Sequence, residues 1–375
     1  MSFNPPSGAV ARVSMIDTAS RLHMLRSSWL LKPSVNGLEV MPPLATWSFL
    51  IESSTGKKAL FDLGMPSGPE TCPPSVKAQL EGAGARLESE RTVGDVIEQH
   101  GISLGDIDSA IWRYAFSPGQ EFVNNSTHAH LSHWHWDHVG DVTEFPGTTE
   151  LVVGPGFMKA FHPGYPRYPD SHIQESYFRD RHVREISFDT DALLIGPVRA
   201  HDFFGDGSFY LIDAPGHSTG HMAGLVRTTT TTGCGPDTFI LMGADTTHHA
   251  GEMRPSASLP IPDTVDYGLD DDEQGAARPR GCCFRQINVR RGRGGDEPFF
   301  DAVLADDLDA AAGSIRSAQW ADAQENVFYI AAHDMTVEGV VDLFPQTMND
   351  WKSKGWKEVT MWRFLRDLEA ATEIR

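Results

Sequence analysis

Cysteine is scarce in this chain, with Cys72, Cys234, Cys282 and Cys283 the only four in 375 residues. Their spacing fits neither a disulfide framework nor a zinc knot, so free thiols are expected. Basic residues are also in short supply, 31 Lys and Arg against 51 Asp and Glu, for a formal net charge of −20. A sequence-independent grip on phosphate backbones rests on clustered Lys and Arg, so no nucleic-acid partner is expected. Long apolar runs are missing too. No stretch approaches the ~18 residues of a membrane span, and Met-Ser-Phe-Asn-Pro-Pro-Ser-Gly at the N-terminus has no basic stretch followed by an apolar one. The expectation is a cytoplasmic protein with no membrane partner, and with 40% hydrophobic residues it has enough apolar side chains for a sizeable core.

What the chain does have is a dense set of metal-ligating groups. The run Leu-Ser-His-Trp-His-Trp-Asp-His-Val-Gly-Asp places His133, His135, Asp137 and His138 within six residues. A pair at i and i+2 projects to one side only from extended chain, and a further pair at i+4 and i+5 converges with it only through a tight turn. One ion can then take the two histidines and a second ion Asp137 and His138. Later ligands are sought at the ends of apolar, strand-like runs. Tyr-Leu-Ile-Asp-Ala runs into Pro-Gly-His217, Phe-Ile-Leu-Met into Gly-Ala-Asp245, and Val-Phe-Tyr-Ile-Ala-Ala into His333. The inferred inventory is His133, His135 and His217 on one ion, Asp137, His138 and His333 on the other, and Asp245 bridging. Imidazole and carboxylate suit Zn²⁺, while Fe and Mn tolerate the same donors. Two divalent ions are expected, with zinc as the first choice. His221, four residues after a ligand, reads as a hydrogen-bonded support.

This order of segments resembles the metallo-β-lactamase superfamily, whose His-x-His-x-Asp-His signature is matched without a gap at residues 133–138. The resemblance runs from about Trp47 to His333 and includes Ala-Leu-Phe-Asp62-Leu-Gly, similar to the early strand that ends in a buried acid. In the family that acid partners a metal histidine and fixes its tautomer. Strand-like runs alternating with helical stretches, such as 92–100 and 300–319, point to an α/β fold. The resemblance makes it a four-layer αββα sandwich with the metals at one edge between two sheets. Because ligands from His133 to His333 must meet at one point, a single domain over 1–375 is expected. Three stretches interrupt the plan. Residues 113–130 read as an inserted loop, 228–235 as a hairpin tip, and 251–298, mixed in charge and rich in Gly and Pro, as a mobile excursion.

Two cations roughly 3.5 to 4 Å apart can lower the pKa of a shared water toward about 7, which provides a hydroxide nucleophile without a Ser or Cys. Asp137 could orient that nucleophile and carry its proton to the leaving group. The segment Asp213-Ala-Pro-Gly-His217-Ser-Thr-Gly-His221 is similar to quorum-quenching lactonases of the superfamily, so the expected function is a binuclear, metal-dependent hydrolase that opens a lactone. Those lactonases carry a tyrosine three residues after the bridging Asp. Here the position is His248, which becomes the candidate donor to the substrate carbonyl, with Tyr165, Tyr168 or Tyr177 as replacements from the following segment. That aromatic segment, with Phe157, Phe161 and Tyr165, is expected to wall a pocket for a small molecule with an apolar or acyl part. Alternatives are hydrolysis of a lactam or benzoxazolinone-type ring, a thioesterase, and an iron-dependent sulfur dioxygenase. The sequence leaves the oligomeric state open.

Overall fold

A computed structural model describes residues 3, 5–112, 136–169, 171–189, 192–230, 236–267 and 279–373. Two six-stranded sheets dominate it. The first holds β1 (Arg12–Ile16), β2 (Ser48–Glu52), β3 (Lys58–Phe61), β4 (Ser109–Ile111), β5 (Glu150–Val153) and β6 (Val183–Glu185) in chain order. The second holds β7 (Leu193–Ile195), β8 (Val198–Asp202), β9 (Phe209–Asp213), β10 (Met222–Thr229), β11 (Thr238–Ala244) and β12 (Val327–Ala331), again in chain order. Pairing is antiparallel through β1–β3 and β7–β11, and parallel from β3 to β6 and between β11 and β12. A parallel step needs a crossover. Helix α2 (Val93–Gln99), after α1 (Pro74–Ala83), lies within the crossover from β3 to β4, and α4 (Leu308–Asp322), after α3 (Gly281–Arg290), within that from β11 to β12.

Successive strand side chains point to opposite faces, and here both faces are buried. On β11, Ile240 and Met242 join the core between the sheets while Phe239 and Leu241 face outward. Phe61 of the first sheet meets Phe209 of the second edge to face at 6.4 Å. Outside the first sheet, Val93, Val96 and Ile97 of α2 pack on Leu50, Leu60 and Ala110. Outside the second, Ile315, Ala318 and Ala321 of α4 pack on Leu225, Leu241 and Tyr329. Thr92 starts α2 with a reciprocal cap, its hydroxyl accepting the Asp95 amide while the Asp95 carboxylate accepts the Thr92 amide. The layers are helix, sheet, sheet, helix, as the sequence led us to expect.

A further apolar cluster forms a cap over one edge of this sandwich. It gathers Leu25, Leu38 and Leu44, then Val76 and Leu80 of α1, then Ile261, Phe284 and Phe300, then Phe364 and Leu368. Part of the stretch 251–298, expected as a mobile excursion, contributes to this cap. Its described residues include α3, whose Phe284 and Ile287 lie three apart on one helix face and are buried with Ile261 and Tyr267. Composition hid this because the charges surrounding those few apolar residues pair with one another, Arg285 with Asp263 at 2.9 Å and Arg293 with Asp301 at 2.8 Å. Residues 268–278 and the expected inserted loop 113–130 lie outside the described residues. Strands β10 and β11 form the antiparallel pair expected on either side of the 228–235 tip, of which 231–235 lie outside the described residues. No helix among the described residues is long and apolar enough to cross a membrane.

Candidate metal centre

Strand ends at one edge of the sandwich bring the acidic and imidazole groups together. Asp62 follows β3 and Asp245 follows β11. Asp62 at φ 73° and Ala244 at φ 56° hold left-handed backbone without being glycine, a conformation that costs on the order of 1–3 kcal/mol and tends to collect at functional sites. His138 comes from the 3-10 turn Trp136–His138, His217 from the turn after β9, and His333 from the end of β12. Gly216 is required beside His217, because at φ 113° a Cβ there would lie 2.0 Å from the Ala311 nitrogen.

The distances define two adjoining triads. Asp137, His138 and His333 offer ligand atoms within 4.8 Å of one another, and so do His217, Asp245 and His248; all six residues are buried. Asp245 joins the triads. Its Oδ2 lies 2.8 Å from His138 Nε2 and 3.5 Å from His217 Nε2, and its Oδ1 lies 3.4 Å from His333 Nε2. Asp137 Oδ2 is 3.4 Å from His333 Nε2, and its Oδ1 is 3.5 Å from His138 Nε2.

Three imidazoles are anchored from behind through Nδ1. That of His333 lies 2.7 Å from the Ala45 carbonyl, that of His217 2.8 Å from the Leu304 carbonyl, and that of His138 2.8 Å from Asp62 Oδ2. A carbonyl can only accept, so Nδ1 carries the proton in His333 and His217. A neutral ring then presents the Nε2 lone pair to the carboxylates. Lone pairs of nitrogen and oxygen facing each other at 3.4–3.5 Å repel unless positive charge lies between them. Burial pushes the His333 imidazole below its ordinary pKa against the pull of Asp245 and Asp137, which disfavours a second ring proton as that charge. Metal cations fit. Nitrogen and oxygen donors of this kind suit Zn²⁺ and other borderline divalent ions.

Around these ligands stands a supporting set. His221 Nδ1 lies 2.7 Å from the Ala214 carbonyl and its Nε2 accepts the Asp245 amide at 3.1 Å, so it holds the Asp245 backbone. His248 packs its ring 4.9 Å from His217 and stacks 6.0 Å from His333. Behind it, buried Glu252 accepts the amides of His248 and His249 at 2.5 and 3.0 Å and lies 3.7 Å from His248 Nδ1. Burial opposes charge on His248, but Glu252, then Asp245 and Asp137, outweigh it and hold the imidazole above its ordinary pKa. Sequence reasoning missed Glu252 and Thr46, whose hydroxyl lies 3.4 Å from Asp137 Oδ2. Glu252 had a signal in its position four residues after His248; Thr46 had none.

His138, Asp137, His217, Asp245 and His333 thus lie together at one point, whereas His133 and His135 lie outside the described residues. The aromatic wall lies elsewhere. Phe157, Phe161 and Tyr177 are buried in the core between the first sheet and α2, where Phe157 meets Trp112 and the Tyr177 hydroxyl donates to the Gly140 carbonyl at 3.3 Å. Apolar residues of strand-side loops satisfy the sandwich before they can line a pocket. Tyr168 is exposed. Tyr165 is half-buried and its backbone pairs with Ile173 and Glu175; among the described residues no hydrogen bond, ion pair or ring contact joins it to the cluster. A small void of about 20 Å³ beside His248 and His333 is closed by the cap, through Met41, Leu44, Met335 and Phe364.

No protein-family model matches the chain. Gamma-lactamase FDB1 of Fusarium pseudograminearum (strain CS3096) is 36% identical to it over 98% of this chain and 85% of that protein. Metallo-hydrolase mfmC of Annulohypoxylon moriforme is also 36% identical, over 98% of this chain and 90% of its own length. Among solved structures, an N-acyl homoserine lactone hydrolase with N-hexanoyl-L-homoserine bound at its catalytic metal center superposes with a TM-score of 0.53 at 16% identity, over 90% of this chain and 99% of that one. The chain belongs to the metallo-β-lactamase superfamily. Within the superfamily it is a lactamase- and lactonase-like metal-dependent hydrolase, with two candidate metal-binding groups. The chain spans 39% of the length of longer relatives, the cytochrome P450 monooxygenases mpaDE of Penicillium.

Proposed function

We propose that this protein opens the ring of a small lactone, with two divalent ions, zinc first among them, held by His133, His135, Asp137, His138, His217, Asp245 and His333. The observation that carries the reading is the facing of proton-free imidazole nitrogens and buried carboxylates across 3.4–3.5 Å, a nest that calls for cations. Such ions, when bound, supply Lewis acidity and a solvent nucleophile ionised near neutral pH. The chain's own residues do the rest. Asp62, Ala45 and Leu304 fix the three imidazoles in one tautomer. Asp137 orients the attacking solvent and passes its proton to the departing ring oxygen. His248, supported by Glu252, donates a hydrogen bond to the carbonyl oxygen as charge develops there.

A γ-lactam is the second reading, favoured by the name of the 36% identical relative FDB1. Ester and amide rings present the same carbonyl and differ in the leaving atom, which must be protonated more fully when it is nitrogen. The metal-loaded protein assayed on homoserine lactones, aryl lactones, a γ-lactam, benzoxazolinone and a glutathione thioester decides between them. Ring opening of a lactone with faster turnover than the matched lactam supports the first reading. The reverse order establishes the second, and thioester cleavage or oxygen uptake alone overturns both.

A further inference from the structure

His217 stands four residues beyond the end of β9, whereas Asp245 follows β11 directly and His333 lies two residues past β12. Its loop must therefore be held from outside. The lead-in to α4 does this. Leu304 accepts the His217 Nδ1 proton at 2.8 Å, and two residues on the Asp306 amide donates to the His217 carbonyl at 3.0 Å. One short segment thus pins both the ring and the backbone of this histidine. Asp307 extends the pairing, its amide donating to the Gly216 carbonyl at 2.9 Å while its carboxylate caps α4 by accepting the Ala310 amide at 2.9 Å. The Ser314 hydroxyl adds a bond of 2.6 Å to the Pro215 carbonyl. The Asp306 carboxylate closes the grip. It accepts the Thr219 amide at 3.2 Å, so Asp306 holds the chain on both sides of Ser218, and among the described residues it makes no other side-chain hydrogen bond or ion pair. On the far side the loop has no room to retreat, since a Cβ on Gly154 would lie 1.9 Å from the Gly220 carbonyl oxygen.

We propose that Asp306 is a positioning residue for the ion on the His217 side, setting the affinity for that ion through its hold on the Thr219 amide. Asp306 belongs to neither triad and acts on His217 through the loop. The inference rests on the two-ion reading above and deepens it by making the two sites unequal. A ligand carried on a loose loop binds its ion at the cost of fixing the loop, and a latch already made in the folded protein removes part of that cost. Asp137, His138 and His333 do not draw on this segment, because His138 is anchored on Asp62 and His333 on Ala45. Loss of the latch should weaken one site and spare the other.

Stepwise Zn²⁺ titration of the metal-free protein against a chromophoric chelator tests this without any turnover. The step lost in His217→Ala marks the ion on the His217 side, and the step lost in His333→Ala marks the other. Asp306→Ala is expected to weaken the first step about tenfold, the lower end for groups that support a metal ligand from behind, and to leave the second unchanged. Asp306→Asn keeps an oxygen that can accept the Thr219 amide and should hold the first step near the wild-type value. Asp309→Ala removes the same charge from the first turn of α4 and should move neither step. An unchanged first step in Asp306→Ala would overturn the role of Asp306, as would an equal shift of both steps. A loss in Asp306→Asn or Asp309→Ala as large as in Asp306→Ala would also overturn it, because charge rather than the hydrogen bond would then be the cause. A wild type that takes up fewer than two ions would instead overturn the two-ion reading, and this inference with it.

Discussion

The sandwich and the cap over its edge are built by different rules. In the sandwich, side chains alternate along each strand, so Phe239 and Leu241 meet α4 while Ile240 and Met242 meet the opposite sheet. The cap has no such period. Leu25, Leu38, Val76, Phe284 and Phe364 come from four stretches far apart in the chain and meet through loops and short helices. The candidate metal centre sits where the two join. Strand ends of the sandwich supply His217, Asp245 and His333, yet the Nδ1 atoms of His333 and His217 are anchored on Ala45 and Leu304, which belong to segments outside both six-stranded sheets. Trp47 strengthens that seam, its amide donating to the Ala332 carbonyl at 3.0 Å and its indole to the Asp334 carbonyl at 2.9 Å. The lesson is a division of labour in which the sandwich carries the candidate ligands, while loops beyond the sheets anchor their imidazoles.

Substitutions can break that division. The largest effect is expected at the bridging carboxylate. Asp245→Asn, and His133→Ala on the sequence expectation, should each abolish turnover and lower the metal content seen by elemental analysis while the circular dichroism spectrum stays native. Full activity in either variant would remove the assignment. Next comes the cap. Phe284 is fully buried, and Phe284→Ala should cost about 3–5 kcal/mol in denaturant unfolding while the folded protein keeps its metal. Loss of metal in step with the cap would mean that the two regions are not separable. Asp62→Asn keeps the size of the group but weakens its hold on His138, and metal affinity or kcat should fall about 10–100-fold.

The smallest effect tests the sandwich away from the metals. Burial pushes the Glu144 carboxyl up to about 7 against a hydrogen bond from Thr92, with Asp141, Asp95 and Glu98 adding to the rise. The folded protein therefore keeps this proton at pH values where the unfolded chain has released it. The contribution to stability is present below an ordinary carboxylate pKa and is lost as the pH rises through about 7. Glu144→Gln should flatten the fall in Tm between about pH 5 and 7, measured by thermal unfolding. An unchanged slope would place that proton elsewhere.

Much of the centre was legible because ligand chemistry is local and strand ends are marked in the sequence. Apolar runs of four to six residues ahead of a lone His or Asp pointed to His217, Asp245 and His333. His221 was legible as a support for the same reason. The aromatic segment was misread, because the sequence shows that Phe157 and Phe161 are apolar but not which side of a sheet they cover. Composition did not reveal α3 within 251–298, because its two buried apolar side chains on one face stand among Gly, Pro and charge.

By itself the sequence determined an α/β fold, whose αββα layers its family resemblance implied, the candidate ligand types and a net charge of −20, since alternation, donor chemistry and charge are properties of residues and their near neighbours. Only the tertiary structure decided which carbonyls hold the imidazoles and which apolar side chains gather in the cap. Those depend on segments hundreds of residues apart coming within about 3 Å, a distance that no local pattern encodes.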